Sequence, residues 1–380
     1  MTQTPHTPTY DVPTYDVVVI GGGVAGLSAA LTLGRALRSV LVVDAGSPRN
    51  APAAGAHNLL GNEGIDPLEL VEKGRAEAAS YGAQLIDGTV TDVSGSLADG
   101  FAVTIAAVAA DPRVPSPGLR PAEEAPAAEA AAPESRDPST VRARRIVLAS
   151  GAVDTLPDIP GLADHWGQDV VHCPYCHGYE VRGGRIGVLA TGPMWLHQAK
   201  LIRQWSDDVT VLLHDQPAPS ADDRAVLASR GVRVIEGAVR EVLSDHAADA
   251  DEASSRADDS RRGEYRDAGS RGDDAHEQRR LTGAVVAGLE APVALDSILV
   301  GTRMRIDSVL VDALGLAVEE NVMGQFVPVD MQKATNVPGV FAAGNVTNVG
   351  MMVAGAMADG VTAGAQANMA LVEEEFSAQH

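Results

Sequence analysis

Apolar residues along this chain gather in short runs separated by glycines and polar stretches, and the period of those runs predicts most of its elements. Tyr15 to Ile20 is an apolar, β-branched run that predicts a buried strand. Gly21 to Gly34 turns it into a helix of small residues, and Val40 to Val43 predicts the next strand, giving a βαβ unit. A helix is expected from Asp66 to Ala79, then strands at Gln84 to Val93 and Phe101 to Val108. Arg145 to Leu148 predicts a strand ending at Ala149, Ser150 and Gly151. Arg185 to Ala190 opens a second strand and helix alternation that runs to Val242. Strands at Ser297 to Val300 and Gly339 to Ala343, with a small-residue helix from Met351 to Glu375, are expected to return to the first unit. Strand and helix alternate throughout, which predicts an α/β fold.

Two segments break the pattern. Residues 109–140 are mostly Ala, Pro and Glu, and residues 246–280 mix Asp, Arg, Ser and Gly with almost nothing apolar. Neither offers enough burial to offset chain entropy, so both are expected to be disordered inserts, and residues 1–14 a flexible leader. A chain of 380 residues exceeds what one core usually supports, so two domains are expected.

Composition excludes some functions. A formal charge of −22 opposes phosphate backbones and anionic membranes, and 3% aromatics leave little for base stacking. No stretch approaches the roughly 18 to 20 apolar residues of a membrane span, and the leader lacks a secretory pattern. The expectation is a cytoplasmic protein with no nucleic-acid or membrane partner.

The most informative early motif is VVVIGGGVAGLSAA, in which Gly21, Gly23 and Gly26 follow a strand and open a helix. Gly21 permits the tight turn, Gly23 lets backbone approach a pyrophosphate, and Gly26 lets the helix pack closely with its N-terminus toward the anion. Asp44 ends the following strand at about the spacing expected for an acid that takes ribose hydroxyls. A ligand-free glycine turn competes with this reading for the triplet alone, but strand, helix and acid together point to a dinucleotide.

The chain has two cysteines, Cys173 and Cys176, in HCPYCHGYE. A Cys-x-x-Cys at a helix start is a redox-active arrangement, and Pro174 suits the first helical turn. Helix amides favour a thiolate, so one of the pair is expected to titrate below the reference value of about 8.5. Zinc held by the cysteines with His172 and His177 is disfavoured, because donors packed into consecutive residues can hardly surround a tetrahedral ion.

These motifs resemble those of the two-dinucleotide-fold flavoproteins. RIVLASGA at 145–152 resembles that family's strand and turn beside the flavin nucleotide, and GVFAAGNVTN at 339–348 its second FAD motif. In layout the chain is similar to the low-molecular-weight thioredoxin reductases. The resemblance implies FAD bound by Gly21, Gly23, Ala25, Gly26, Asp44, Gly151, Gly344, Asn345, Met352 and Val353, with Asn345 where the family has Asp and Met352 where it has Gln. The Asn345 amide is expected to hydrogen-bond a ribityl hydroxyl. Cys176 would lie against the flavin, Cys173 would exchange with substrate sulfur, and His177, which replaces the family's Asp, would transfer protons.

The resemblance also implies a fold of two Rossmann-like (three-layer ββα/αβ) dinucleotide-binding domains, the second inserted in the first. Residues 15–165 and 297–380 form the FAD domain, and 166–296 the domain that carries the dithiol and resembles an NAD(P)H-binding unit. Its nucleotide motif is degraded. ATGPMW at 190–195 keeps only Gly192, with Ala190 at the first glycine, Pro193 removing an amide, and Trp195 at a small position, while Asp215 and Gln216 stand where the family pairs arginines for a 2′-phosphate. NAD(P)H is therefore a doubtful cofactor. This combination resembles the branch that includes gliotoxin- and holomycin-type dithiol oxidases. The expected function is electron exchange among a small dithiol or thioredoxin-like protein, the Cys173/Cys176 pair and FAD, with oxygen or another external acceptor, in a homodimer. An NADPH-dependent thioredoxin reductase and a non-catalytic flavin/disulfide redox sensor are the alternatives.

Overall fold

The computed structural model describes residues 12–107, 139–245 and 280–377. The expected inserts at 109–140 and 246–280 and most of the leader lie outside these residues. At the margins Ser139 and Thr140 open a strand, Arg280 begins another, and Thr14 already belongs to the first.

Two sheets of Rossmann type organise the chain, the first parallel at its centre with an antiparallel edge and the second wholly parallel. The first has seven strands, in the order Gln84–Asp87, Val40–Asp44, Thr14–Ile20, Ser139–Leu148, Gly100–Ala106, Thr89–Ser96, with Val340–Ala342 also paired to Ser139–Leu148. Its central strands are buried on both faces, which is why Val17 to Ile20 reads as an unbroken apolar run. Val17 and Val19 pack toward the helices Val24–Arg35 and Val353–Ser377, whereas Val18 and Ile20 pack toward Val90, Val93, Phe101 and Leu310.

The two helices approach closely because their facing residues are small. A Cβ on Gly360 would lie 2.0 Å from the Ala25 carbonyl oxygen, and one on Gly364 would lie 2.7 Å from that of Ala29. This contact seats the first helix with its N-terminus at the carboxyl edge of the sheet, where ligands bind in such folds.

The second sheet has five parallel strands, in the order Arg233–Ile235, Val209–Leu212, Ile186–Leu189, Ser297–Val300, Val170–Val171. Ser297–Val300 thus does not return to the first sheet as expected. Ile159 and Leu162 likewise pack in the second core with Leu212 and Ile298. Ile159, Leu162 and the strand Ser297–Val300 therefore belong with the second sheet. A short, fully buried strand carries no mark of which sheet it joins.

A second correction concerns Gln84 to Val93, expected as one strand. It breaks at Gly88 into Gln84–Asp87, parallel to Val40–Asp44, and Thr89–Ser96, antiparallel to Gly100–Ala106. Gly88 turns the chain where a Cβ would meet Ile105 at 2.7 Å.

The two passages of chain between the sheets run side by side, Val153–Thr155 pairing antiparallel with Arg303–Arg305. Arg49, from the first unit, grips Asp154 there through two bonds of 2.6 and 2.9 Å, and Thr302 donates to the same carboxylate at 2.6 Å. Burial opposes the charge on Asp154, yet these donors hold its carboxyl below the usual range.

Candidate active site

The glycine-rich turn is built as its sequence requires. Gly21 has φ +106°, donates its N–H to Val43 at 2.8 Å, and leaves only 2.3 Å between a Cβ and the Ala149 carbonyl oxygen. Gly23 caps the first helix without a side-chain acceptor, and no acid occupies the first turn, so the donors there are left for an anion. A Cβ on Gly23 would have nothing within 4 Å. Gly26 differs: it does not line the cavity, and a Cβ there would lie 1.9 Å from the Gly21 carbonyl oxygen.

Asp44 accepts from the Gly22 and Gly46 amides at 3.1 and 3.2 Å and from Arg75 at 3.2 Å. Its carboxylate thus braces the turn while facing the cavity. Gly151, at φ +72°, also has open space where a Cβ would be, and the neighbouring Ser150 hydroxyl is buried with no partner.

At Gly344 (φ +81°) a Cβ would meet that of Ala25 at 2.8 Å. The Gly344 amide donates to buried Asp359 at 2.9 Å, Thr347 Oγ1 donates to it at 3.2 Å, and Lys333 pairs with it. Asn345 is tied into its own loop on one side only. Its Nδ2 already donates to the carbonyls of Asn348 and Met351 at 3.1 and 3.0 Å, so the side chain retains only an acceptor toward a hydroxyl. Tying that loop positions Met352, which is half-exposed, and Val353, where the last helix starts; both line the cavity.

The dithiol is present as a Cys173–Cys176 disulfide with Cα atoms 5.2 Å apart. Cys173 is the N-cap of the single-turn helix Pro174–His177, and the Cys176 amide lies 3.1 Å from Cys173 Sγ. A donor on that sulfur favours its thiolate once the bridge opens.

His177 is not the plain surface residue that adjacency alone allows. Both its ring nitrogens are buried without a partner, and burial, reinforced by the charge of His57, lowers its pKa to about 4. His172 is likewise held neutral, near about 4, by burial and by Arg49. Since a guanidinium only donates, the 3.1 Å contact from Arg49 makes His172 Nε2 an acceptor and leaves the proton on Nδ1.

Sequence reasoning left His57 and Asn58 out of the site. The structure ties Asn58 to the dithiol helix, its Nδ2 donating to the Tyr175 carbonyl at 2.9 Å, and sets His57 Nε2 3.5 Å from Glu180 just after that helix. Asn58 adopts φ +62°, a left-handed conformation that Asn tolerates better than most residues and that only the folded loop reveals.

In the second unit, Trp195 opens its helix and is buried in the core with Ile186, Ala199 and Ile202, so its bulk is absorbed by packing rather than by separating helix from strand. Met194 caps that helix without a side-chain acceptor. His214 Nε2 and Asp215 face each other at 3.2 Å where the second strand ends.

One cavity of about 980 Å³ gathers these parts. Gly21, Gly23, Ala25, Asp44, Gly151, Gly344, Asn345, Met352 and Val353 line it, as do Cys173, Cys176, His177, His57 and Trp195. The open positions at Gly23 and Gly151, the uncapped helix and the orphaned Ser150 hydroxyl fit an elongated, phosphate-bearing nucleotide. Among the described residues no helix is long and apolar enough to cross a membrane.

Comparison with known proteins agrees with this geometry. Thioredoxin reductase tcpT of Claviceps purpurea is 34% identical over 209 residues, covering 52% of this chain and 54% of its own. The chain spans about half the length of the curated relatives it matches first. An oxidoreductase from Agrobacterium tumefaciens shares the fold at TM-score 0.72 and 34% identity, over 94% of this chain and 99% of that one. HlmI does so at TM-score 0.72 and 36% identity, over 96% and 94%. Residues 15–360 match the sequence profile of the pyridine nucleotide-disulphide oxidoreductases, and the chain belongs to that family.

Proposed function

We propose that this chain is an FAD-dependent dithiol/disulfide oxidoreductase in which substrate thiols reduce the Cys173–Cys176 bridge. The observation that carries this reading is the shared cavity: the disulfide and the glycine-rich nucleotide turn line the same space. The family implies a flavin cofactor. Gly21, Gly23, Ala25, Gly26, Asp44, Gly151, Gly344, Asn345, Met352 and Val353 would hold it, Gly26 through packing and the others from the cavity wall. When bound, FAD supplies a two-electron acceptor for the reduced pair and a route to oxygen or another external acceptor.

Cys173 is assigned to exchange with substrate sulfur, because its Sγ already has an amide donor for the thiolate, and Cys176 to the flavin side. His177, neutral through burial, would offer a ring N–H to the thiolate formed beside it. The second unit, inserted between the two parts of the FAD domain, keeps a Rossmann sheet without a phosphate loop. Pro193 lacks an amide, Trp195 is occupied in the core, and Asp215 would repel a 2′-phosphate. A small dithiol or thioredoxin-like substrate, a homodimer and a cytoplasmic setting complete the reading.

Anaerobic mixing of the flavin-loaded protein with NADPH, NADH and a small dithiol tests it. The dithiol should bleach the flavin at a catalytic rate and the nicotinamides should not. Rapid bleaching by NADPH would establish a thioredoxin reductase instead, and no response to any donor in multiple turnover would establish a sensor.

A further inference from the structure

The loop that follows the glycine-rich unit carries a second proton-handling group to the dithiol. An isolated bridge between Ala56 and Ile65 closes it, and Glu63 holds it from within. One Glu63 oxygen accepts from the amides of Asn58 and Leu59 at 2.8 and 3.3 Å, and the other sits 2.8 Å from His57 Nδ1. Hydrogen bonding to His57, then to these amides, holds the Glu63 carboxyl below its usual range. A carboxylate on Nδ1 places a proton there, so neutral His57 presents a bare Nε2.

That nitrogen is turned toward the segment just after the dithiol helix, 3.5 Å from Glu180. His57 lines the cavity shared with Cys173 and Cys176, while Asn58 next to it is bonded to the carbonyl of Tyr175, between the two cysteines. The titratable groups around His57 are Glu63 on its own loop, Glu180 at 3.5 Å just after the dithiol helix, and His177 at that helix's end. Glu180 gives a proton arriving at Nε2 an anionic neighbour. His177, with both nitrogens buried and unpartnered, lacks any such support.

Resting on the dithiol reading above, we propose that His57, oriented by Glu63, accepts the proton when a substrate thiol attacks the Cys173–Cys176 disulfide. The substrate S–H proton passes to His57 Nε2, and its electron pair forms a new S–S bond to Cys173. The Cys173–Cys176 bond breaks, and its electron pair leaves on Cys176 as thiolate. The enzyme disulfide is the oxidant, so the step balances without another reagent. Glu63 acts as a positioning residue.

The test uses the flavin-loaded full chain under anaerobic conditions with dithiothreitol, quenched by a thiol-alkylating reagent, with alkylated Cys173 and Cys176 counted by mass spectrometry. At about pH 7, His57→Gln should open the disulfide roughly 100-fold more slowly, the scale of a lost general base. Near pH 10, above the thiol reference pKa of about 8.5, the probe ionises unaided and the gap should close to within about threefold. Added imidazole should restore part of the rate in His57→Ala, and Glu63→Gln should lie between His57→Gln and wild type. An unchanged rate in His57→Gln, or an equal loss at every pH, overturns the proposal. Should His57→Gln fail to fold, as judged by flavin content and circular dichroism, a wild-type rate in Glu63→Gln overturns it. A wild-type protein whose disulfide ignores dithiols would instead sink the functional reading itself.

Discussion

Alanine at Gly23 and at Gly26 should do opposite things, although the two glycines lie in one turn. Gly26 sits where a Cβ would come within 1.9 Å of the Gly21 carbonyl oxygen. To reach an ordinary contact of about 3.5 Å the turn must retreat by roughly 1.5 Å. That retreat strains the Gly21 amide bond to Val43, now 2.8 Å, in a strand end buried on both faces. Overpacking costs about 1–3 kcal/mol and the lost hydrogen bond about 1, so Gly26→Ala should destabilise the fold by about 3 kcal/mol. Gly23 has φ −71°, which alanine adopts freely, and open space where its Cβ would go. Gly23→Ala should leave fold stability within about 1 kcal/mol while placing a methyl where a phosphate would approach. Losing one charge-assisted amide bond there, about 1.5–3 kcal/mol, weakens flavin binding by about 10- to 100-fold. Urea unfolding of the flavin-free variants, followed by FAD titration, measures both quantities. A Gly26→Ala protein as stable as wild type, or a folded Gly23→Ala protein with undiminished FAD affinity, would refute this division of roles.

Two further outcomes follow from buried charge. Asp359→Ala removes the acceptor of the Gly344 amide and Thr347 hydroxyl and leaves Lys333 without its partner, so it should cost about 3 kcal/mol or more, and Lys333→Met in the same chain should recover part of it; urea midpoints that do not move would exclude a structural role for this pair. His172 and His177 have native pKa values lowered to about 4 from 6.5, so between those values the unfolded chain takes up protons that the native chain refuses. Stability should therefore be full above about pH 6.5 and fall as the pH drops toward 4, less steeply in His177→Gln; a flat midpoint across that window would show that neither ring is buried neutral.

Much of the site is legible along the chain because its chemistry is coded by spacing. Gly21, Gly23 and Gly26 act within a single turn, and Cys173 caps the helix that contains Cys176, so short-range geometry constrains both motifs. Trp195 could be recognised as too large for a phosphate loop, but not as a core residue, since only the assembled second sheet supplies its neighbours. Asn345 could be recognised as a departure from Asp, yet the engagement of its amide depends on how the 348–351 loop folds back.

Local order, then, already carried the α/β alternation, the nucleotide turn and the redox pair, because helix and strand periods and short motifs are satisfied by neighbours in sequence. Three-dimensional packing decided the membership of Ser297–Val300 in the second sheet, the neutrality of His177 and the arrival of the His57 loop at the dithiol. Those features arise from contacts between distant residues, as between Asn58 and Tyr175, 117 positions apart. An apolar strand does not name its partner, and a histidine's proton affinity depends on the water and charge that the finished fold leaves around it.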